Sequence, residues 1–258
     1  MLSFSNDYIG HAPSERVTNF SGCDSEVLYQ KNLKTKPIDW HYRTNIVTYN
    51  RNQNGHRCKE FEDVDLNNYI LFTGCSHSEG IGLELENTYP YLVSKSQDCD
   101  YYNLGVGGTG IDVLAYNLIT WFSKVKHKPK AVVIQWPDYT RFISKANHNT
   151  TDTDLLIANG SWSTRTGIDK FCVIGHDIGF FELRRTMMYN LIKNVIDCPI
   201  IEIAYDNAKF NDDTLLLLPA KQDLARDLIH CGILSNLSYA SIITDIITDK
   251  YKHELKNN

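Results

Sequence analysis

No apolar run in this sequence approaches the ~18–20 residues that a membrane helix needs. A basic excess is missing too: 26 Lys plus Arg stand against 31 Asp plus Glu, a formal net charge of −5. That balance argues against a protein that coats nucleic acid, which needs a basic face to displace counterions. No CxxC occurs among the seven cysteines, Cys23, Cys58, Cys75, Cys99, Cys172, Cys198 and Cys231. Their odd number and irregular spacing speak against a disulfide framework or a zinc site and for reduced thiols. The opening residues, MLSFSNDYIGHAPSER, lack the basic and apolar regions of a secretory signal, so a cytoplasmic location is expected. Neither GxGxxG nor a Walker lysine follows the glycine-rich turns, which weakens a phosphate-binding reading.

What is present is enough for one ordinary domain: 258 residues, 42% of them hydrophobic. Residues 1–65 are polar, spotted with aromatics and weakly periodic, and are expected to form an N-terminal extension that precedes or packs on a domain over 66–258. Asn52-Gln53-Asn54-Gly55 reads as a turn. From Tyr69 short apolar runs alternate with helical patterns. YILFTG (69–74), YYNLGVGG (101–108), AVVIQW (131–136) and PIIEIAY (199–205) read as buried strands. TYPYLVSK (88–95), IDVLAYNLITWFSKV (111–125), FELRRTMMYNLIKNVI (181–196) and LSYASIITDIITDKY (237–251) read as helices. This alternation predicts an α/β fold, a three-layer α/β/α sandwich around a central parallel sheet. Ligands of such sheets sit beyond the carboxyl ends of the strands, where the glycine-rich turns fall. The stretch 143–179 reads as a long polar loop at that edge. It carries Trp162, which reads equally as a sugar-stacking platform or as a packed side chain.

Three segments could carry chemistry. In GCSHSEGIG (74–82), Ser76 follows a strand end and could hold its hydroxyl clear of the sheet as a nucleophile. The plain alternative is a helix N-cap at Ser76 or Ser78. In NLGVGGTG (103–110), the glycines let backbone approach a ligand, or simply make a tight connection. In ARDLIHCG (225–232), Asp227 and His230 stand three apart, the spacing of a base and its orienting carboxylate or of an incidental pair. Asp138 and Arg141 read as a surface ion pair or, alternatively, as a grip on a polar substrate, Arg184-Arg185 as a solvated helix face, and Cys75 and Cys231 as packed thiols.

Taken in this order, the segments resemble the SGNH (GDSL-like) hydrolases over about residues 69–250. GCSHSEG is similar to the family's GDSxTxG block, with Cys75 in place of Asp. NLGVGGTG resembles the second block, RDLIHCG the final D-x-x-H block, and NQNGHR (52–57) an N-x-x-G-x-R segment of some members. The resemblance implies a flavodoxin-like sheet, a Ser76–His230–Asp227 triad, an oxyanion hole from the N–H groups of Ser76 and Gly108, and no metal or organic cofactor. It departs at QWPDYTRF (135–142), where the family's G-x-N-D supplies an oxyanion Asn. Gln135, Trp136 and Tyr139 are candidate replacement donors expected to line the cleft, and His77, which follows Ser76, is expected to line its mouth. The implied function is a serine ester hydrolase, a carbohydrate O-acetylesterase or small-acyl esterase, whose partner is a small-molecule or glycan ester, with no nucleic acid and no membrane. The alternative is a catalytically weak or inactive binding module, glycan-recognising or virion-associated. Oligomeric state is not readable.

Overall fold

The four apolar runs all become strands, and their burial explains why. Tyr69 through Thr73 are completely buried, as expected for a strand covered on both faces. A computed structural model describes residues 1–5, 7–145, 155–160, 162–163, 167–177, 179–204 and 216–254. In chain order its strands are β1 (Leu2–Ser5), β2 (Tyr8–His11), β3 (Val17–Thr18), β4 (Tyr49–Asn50), β5 (Tyr69–Thr73), β6 (Asp100–Asn103), β7 (Val132–Gln135), β8 (Phe142–Lys145), β9 (Leu156–Asn159), β10 (Ile200–Ala204) and β11 (Leu216–Leu217). The helices are α1 (Glu26–Thr35), α2 (Ser76–Glu79), α3 (Tyr89–Ser96), α4 (Ile111–Lys124), α5 (Ile168–Asp177), α6 (Phe180–Val195) and α7 (Ile233–Glu254). None is long and apolar enough to cross a membrane.

The central sheet is parallel, in the order β11-β10-β7-β5-β6. Counting only its own strands along the chain, that order is 2-1-3-4-5, the flavodoxin-like arrangement. The crossover from β5 to β6 runs one way and that from β6 to β7 runs back across β5. Right-handed connections therefore put α3 and α4 on opposite faces. The packing agrees: α3 lies against α7, and α4 against α6. This is the expected three-layer sandwich. Its core gathers Ile70, Phe72, Tyr102, Leu118, Trp121, Val133, Ile203 and Ile243. The reversal places a crevice beyond the carboxyl ends of β5 and β7, the position where such sheets bind ligands.

The polar stretches fold in a way the sequence did not announce. Within 143–179, expected as loop, lie β9 and α5, and β8 runs on from Phe142. The strands β2-β1-β9-β8 form an antiparallel sheet that joins the N-terminus to this segment. Leu2, Ile9 and Leu156 of that sheet bury against Val106 and Val113. Four-residue strands carry too little periodicity to be seen alone, and their partners lie some 150 residues away. Residues 1–65 also join the packing elsewhere: Tyr42, Val47 and Tyr49 meet Ile81, Leu83 and Ala225.

Candidate active site

Helix α2 is one turn long, and its position makes the site. Cys75 is its N-cap residue, and the Cys75 N–H donates to Gln135 Oε1 at 3.2 Å. Ser76 is the first helical residue, where backbone N–H groups have no partner inside the helix. Gly80 ends the turn in the left-handed region at φ +77°, which favours glycine. The buried guanidinium of Arg57 then donates to the carbonyls of Glu79, Gly80 and Leu83. Arg57 thus satisfies the helix end that a single turn cannot.

Ser76, His230 and Asp227 come together across 154 residues of chain. His230 Nε2 lies 2.8 Å from Ser76 Oγ, and His230 Nδ1 lies 2.6 Å from Asp227 Oδ2. The consistent tautomer has Nδ1–H donating to the carboxylate and Nε2 accepting the Ser76 hydroxyl proton. Asp227 Oδ1 also accepts the N–H groups of Ile229 and His230, each at 3.0 Å. Burial alone would raise the Asp227 carboxyl; the His230 hydrogen bond and charge and these N–H groups outweigh it and bring it down to about 2. Leu228 sits at φ +58° between the two, so the loop carries a strained residue where it presents the histidine.

Gly108 lies across the cleft at φ +79°, a conformation that resists any side chain. Among the described residues neither the Ser76 nor the Gly108 N–H has a hydrogen-bond partner. The neighbouring Gly107 N–H does: it donates to Glu79 Oε2 at 2.6 Å. Glu79 is completely buried and also receives Arg51 and His11, at 2.7 Å and 3.0 Å. Burial would push the Glu79 carboxyl up; His11 and Arg51 outweigh it and hold it well below the usual carboxylate range. One carboxylate therefore ties the Ser76 helix, the glycine loop and the N-terminal strands.

The histidine loop is anchored in the same manner. The Arg226 guanidinium pairs with Asp24 at 2.7 Å, both fully buried, and Asn32 Nδ2 donates to Arg226 O. Sequence reading missed His11, Asp24, Arg51, Glu79 and Arg226. Only Arg57 carried a signal, through the N-x-x-G-x-R resemblance.

Cys23, Asp227 and His230 bring three atoms of metal-ligand type within 4.8 Å of one another. As arranged they serve each other: the Cys23 thiol donates to Asp227 Oδ2 at 3.3 Å, and the carboxylate is already bonded to the imidazole. Burial of the sulfur and the Asp227 charge push the thiol up to about 12, so it keeps its proton.

The cleft holds about 460 Å³ and is lined by Ser76, His230, Gly108, Cys23, Arg141 and Trp162, with Ile81, Ala158 and Ile229 supplying apolar surface. Gln135, Trp136, Tyr139 and His77, all expected there, are not among its lining residues. The Gln135 amide spends its oxygen on Cys75 and its nitrogen on the Trp136 carbonyl, and the Trp136 indole donates to Glu202. Tyr139 sits under Arg185, with its carbonyl held by Arg184. His77 packs edge-on against His230, ring centroids 4.9 Å apart. Burial and the neighbouring His230 hold it well below the usual imidazole range, so it stays neutral. The expected Asp138–Arg141 ion pair does not form: Asp138 Oδ1 accepts from Thr140 instead. Arg184 is half-buried rather than solvated, because its guanidinium donates to two loop carbonyls. Cys75 and Cys231 are packed thiols, as expected. Of the segment 161–167, Trp162, Ser163 and Gly167 lie among the described residues.

No family model matches the chain, and no curated protein does. Several solved structures are similar at low level, three esterases among them. An acetyl xylan esterase from the rumen bacterium Butyrivibrio proteoclasticus shares 14% identity at a TM-score of 0.41, over 72% of this chain and 64% of its own. A carbohydrate esterase whose active site is described as having divergent catalytic and non-catalytic binding functions shares 15% at 0.42, over 71% and 65%. A carbohydrate esterase family 2 enzyme with a carbohydrate-binding domain from Corynascus thermopiles (Myceliophthora fergusii) shares 12% at 0.43, over 80% and 70%. The chain spans less than two thirds of the first two. All three scores are low, so what these proteins act on is said of them alone.

Proposed function

We propose that this chain is a serine ester hydrolase of SGNH type that removes acetyl or other short acyl groups from a carbohydrate. The observation that carries the reading is the relay from Ser76 Oγ to His230 Nε2 at 2.8 Å and from His230 Nδ1 to Asp227 at 2.6 Å, inside a cleft. A base must reach the proton it takes, and this one does.

In this mechanism Ser76 Oγ attacks the acyl carbonyl as His230 Nε2 takes its proton. The tetrahedral oxyanion turns toward the free N–H groups of Ser76 and Gly108. Asp227, ionised far below neutral pH, orients the imidazole and stabilises the imidazolium. His230 then protonates the leaving alcohol, and a water activated by the same imidazole releases the acid and restores Ser76. The small apolar surfaces of Ala158 and Ile229 suit a short acyl group.

A binding module on the same fold is the second reading. It is favoured by the engagement of Gln135 and Trp136 elsewhere, which leaves two backbone donors where related sites have three. Loss of one such donor costs ~10²–10³ in rate. Acetate release from an aryl acetate and from peracetylated sugars separates the two. The hydrolase reading expects turnover that falls at least ~10³-fold in Ser76→Ala. Equal release by wild type and variant would refute it.

A further inference from the structure

Arg141 stands in the cleft wall with Ser76 and His230, and the triad has no use for it. Among the described residues no carboxylate pairs with it, and its Nε and Nη1 are buried without a hydrogen-bond partner. Leaving such a group unpaired is costly, so an unpaired guanidinium beside a catalytic serine calls for an explanation. Its position is built. Arg184 donates to the carbonyls of Tyr139 and Arg141 and fixes the turn that carries it. Gly110 lets that turn come close, since a Cβ there would meet Arg141 O at 2.2 Å. The guanidinium lies over the Trp162 ring, 4.8 Å from its centroid, and Trp162 is itself part of the cleft wall. Among the described acidic groups nearby, Asp227 is spent on His230 and Cys23 and Glu79 on Arg51, His11 and Gly107, while Asp112, whose buried Oδ1 lies beside Gly110 without a hydrogen-bond partner, forms no ion pair with Arg141. The Arg141 charge also reaches His77, where after burial, His230 and Lys221 it adds to holding that imidazole below its usual range.

We infer that the cleft selects esters of acidic sugars, with Arg141 receiving a carboxylate of the substrate and Trp162 offering its ring to the sugar face. The inference rests on the ester-hydrolase reading for its chemistry, not for its recognition. A planar guanidinium fits a carboxylate through paired hydrogen bonds, and an uncompensated cation in a concave wall attracts anions.

The test compares two matched substrates, an O-acetylated uronic acid and the same acetylated sugar with its carboxyl reduced to the alcohol. Wild type, Arg141→Gln and Arg141→Lys are assayed at low and physiological salt, with folding checked by thermal melting. Wild type is expected to favour the acid by about 10- to 100-fold in kcat/KM, the range of a charged hydrogen bond. That ratio falls to about one in Arg141→Gln, and Arg141→Lys restores part of it. A wild-type ratio near one, or a ratio kept in Arg141→Gln, overturns the inference while leaving the hydrolase reading intact. If neither ester is turned over, the hydrolase reading fails by itself. Titration calorimetry of Ser76→Ala with the uronic acid and its neutral twin then decides the recognition: preference for the acid that Arg141→Gln abolishes supports it, and equal or absent binding overturns it.

Discussion

The parallel sheet and the layer beneath Ser76 are equally buried but made of opposite materials. Along β5 and β7 the interior is Ile70, Leu71, Phe72, Val132, Val133 and Ile134. Around α2 it is Glu79, Arg51, Arg57 and His11, with Asp24 and Arg226 under the histidine loop. The sheet gains by removing apolar area from water, which tolerates modest changes of shape. The polar layer gains only if every charge keeps its partner, because each was desolvated to be there. Precision is therefore kept in the polar layer: strands form the platform, and ion pairs between distant segments anchor the helix and the loop that carry Ser76 and His230.

The largest effect should come from breaking the polar layer. Glu79→Gln leaves the buried Arg51 guanidinium without its carboxylate and is expected to cost ~3–5 kcal/mol in urea unfolding. A cost below ~1 kcal/mol would mean the network is passive. The next effect is electrostatic and depends on pH. The Asp227 carboxyl sits at about 2 in the fold against an ordinary 3.8. Its folded value is the lower one, so its stabilisation is whole above about pH 4 and is lost as pH falls through about 2. Wild type should exceed Asp227→Asn by ~2 kcal/mol at pH 6, and the gap should close by pH 2. A gap unchanged over that range would contradict the assigned hydrogen bonds. Trimming the apolar layer should matter least: Ile134→Val is expected to cost ~0.5–1.5 kcal/mol with kcat/KM unchanged. A loss of activity there would mean that the sheet also tunes the site.

The same contrast explains what the sequence reveals. YILFTG and AVVIQW are readable because a doubly covered strand must be apolar along its whole length. Ser76, Gly108, Asp227 and His230 are readable because each sits in a short local pattern at a strand end or before the last helix, and the order of these patterns resembles that of a known family's blocks. The anchors are not. Glu79 meets His11 across 68 residues and Arg51 across 28, and Asp24 meets Arg226 across 202. No local spacing marks such pairs. Gln135 and Trp136 were expected in the cleft because they follow the third parallel strand, yet the pleat turns their polar groups into the protein. Arg141, a few residues on, reaches the cavity instead.

Everything chemical in this account depends on Ser76 being an activated nucleophile. Labelling with a fluorophosphonate probe, read by intact mass and peptide mapping, tests that directly. One adduct on Ser76, absent in Ser76→Ala and strongly reduced in His230→Ala, is the predicted result. An unmodified Ser76 in folded wild-type protein, or labelling that persists in His230→Ala at the wild-type rate, would contradict it.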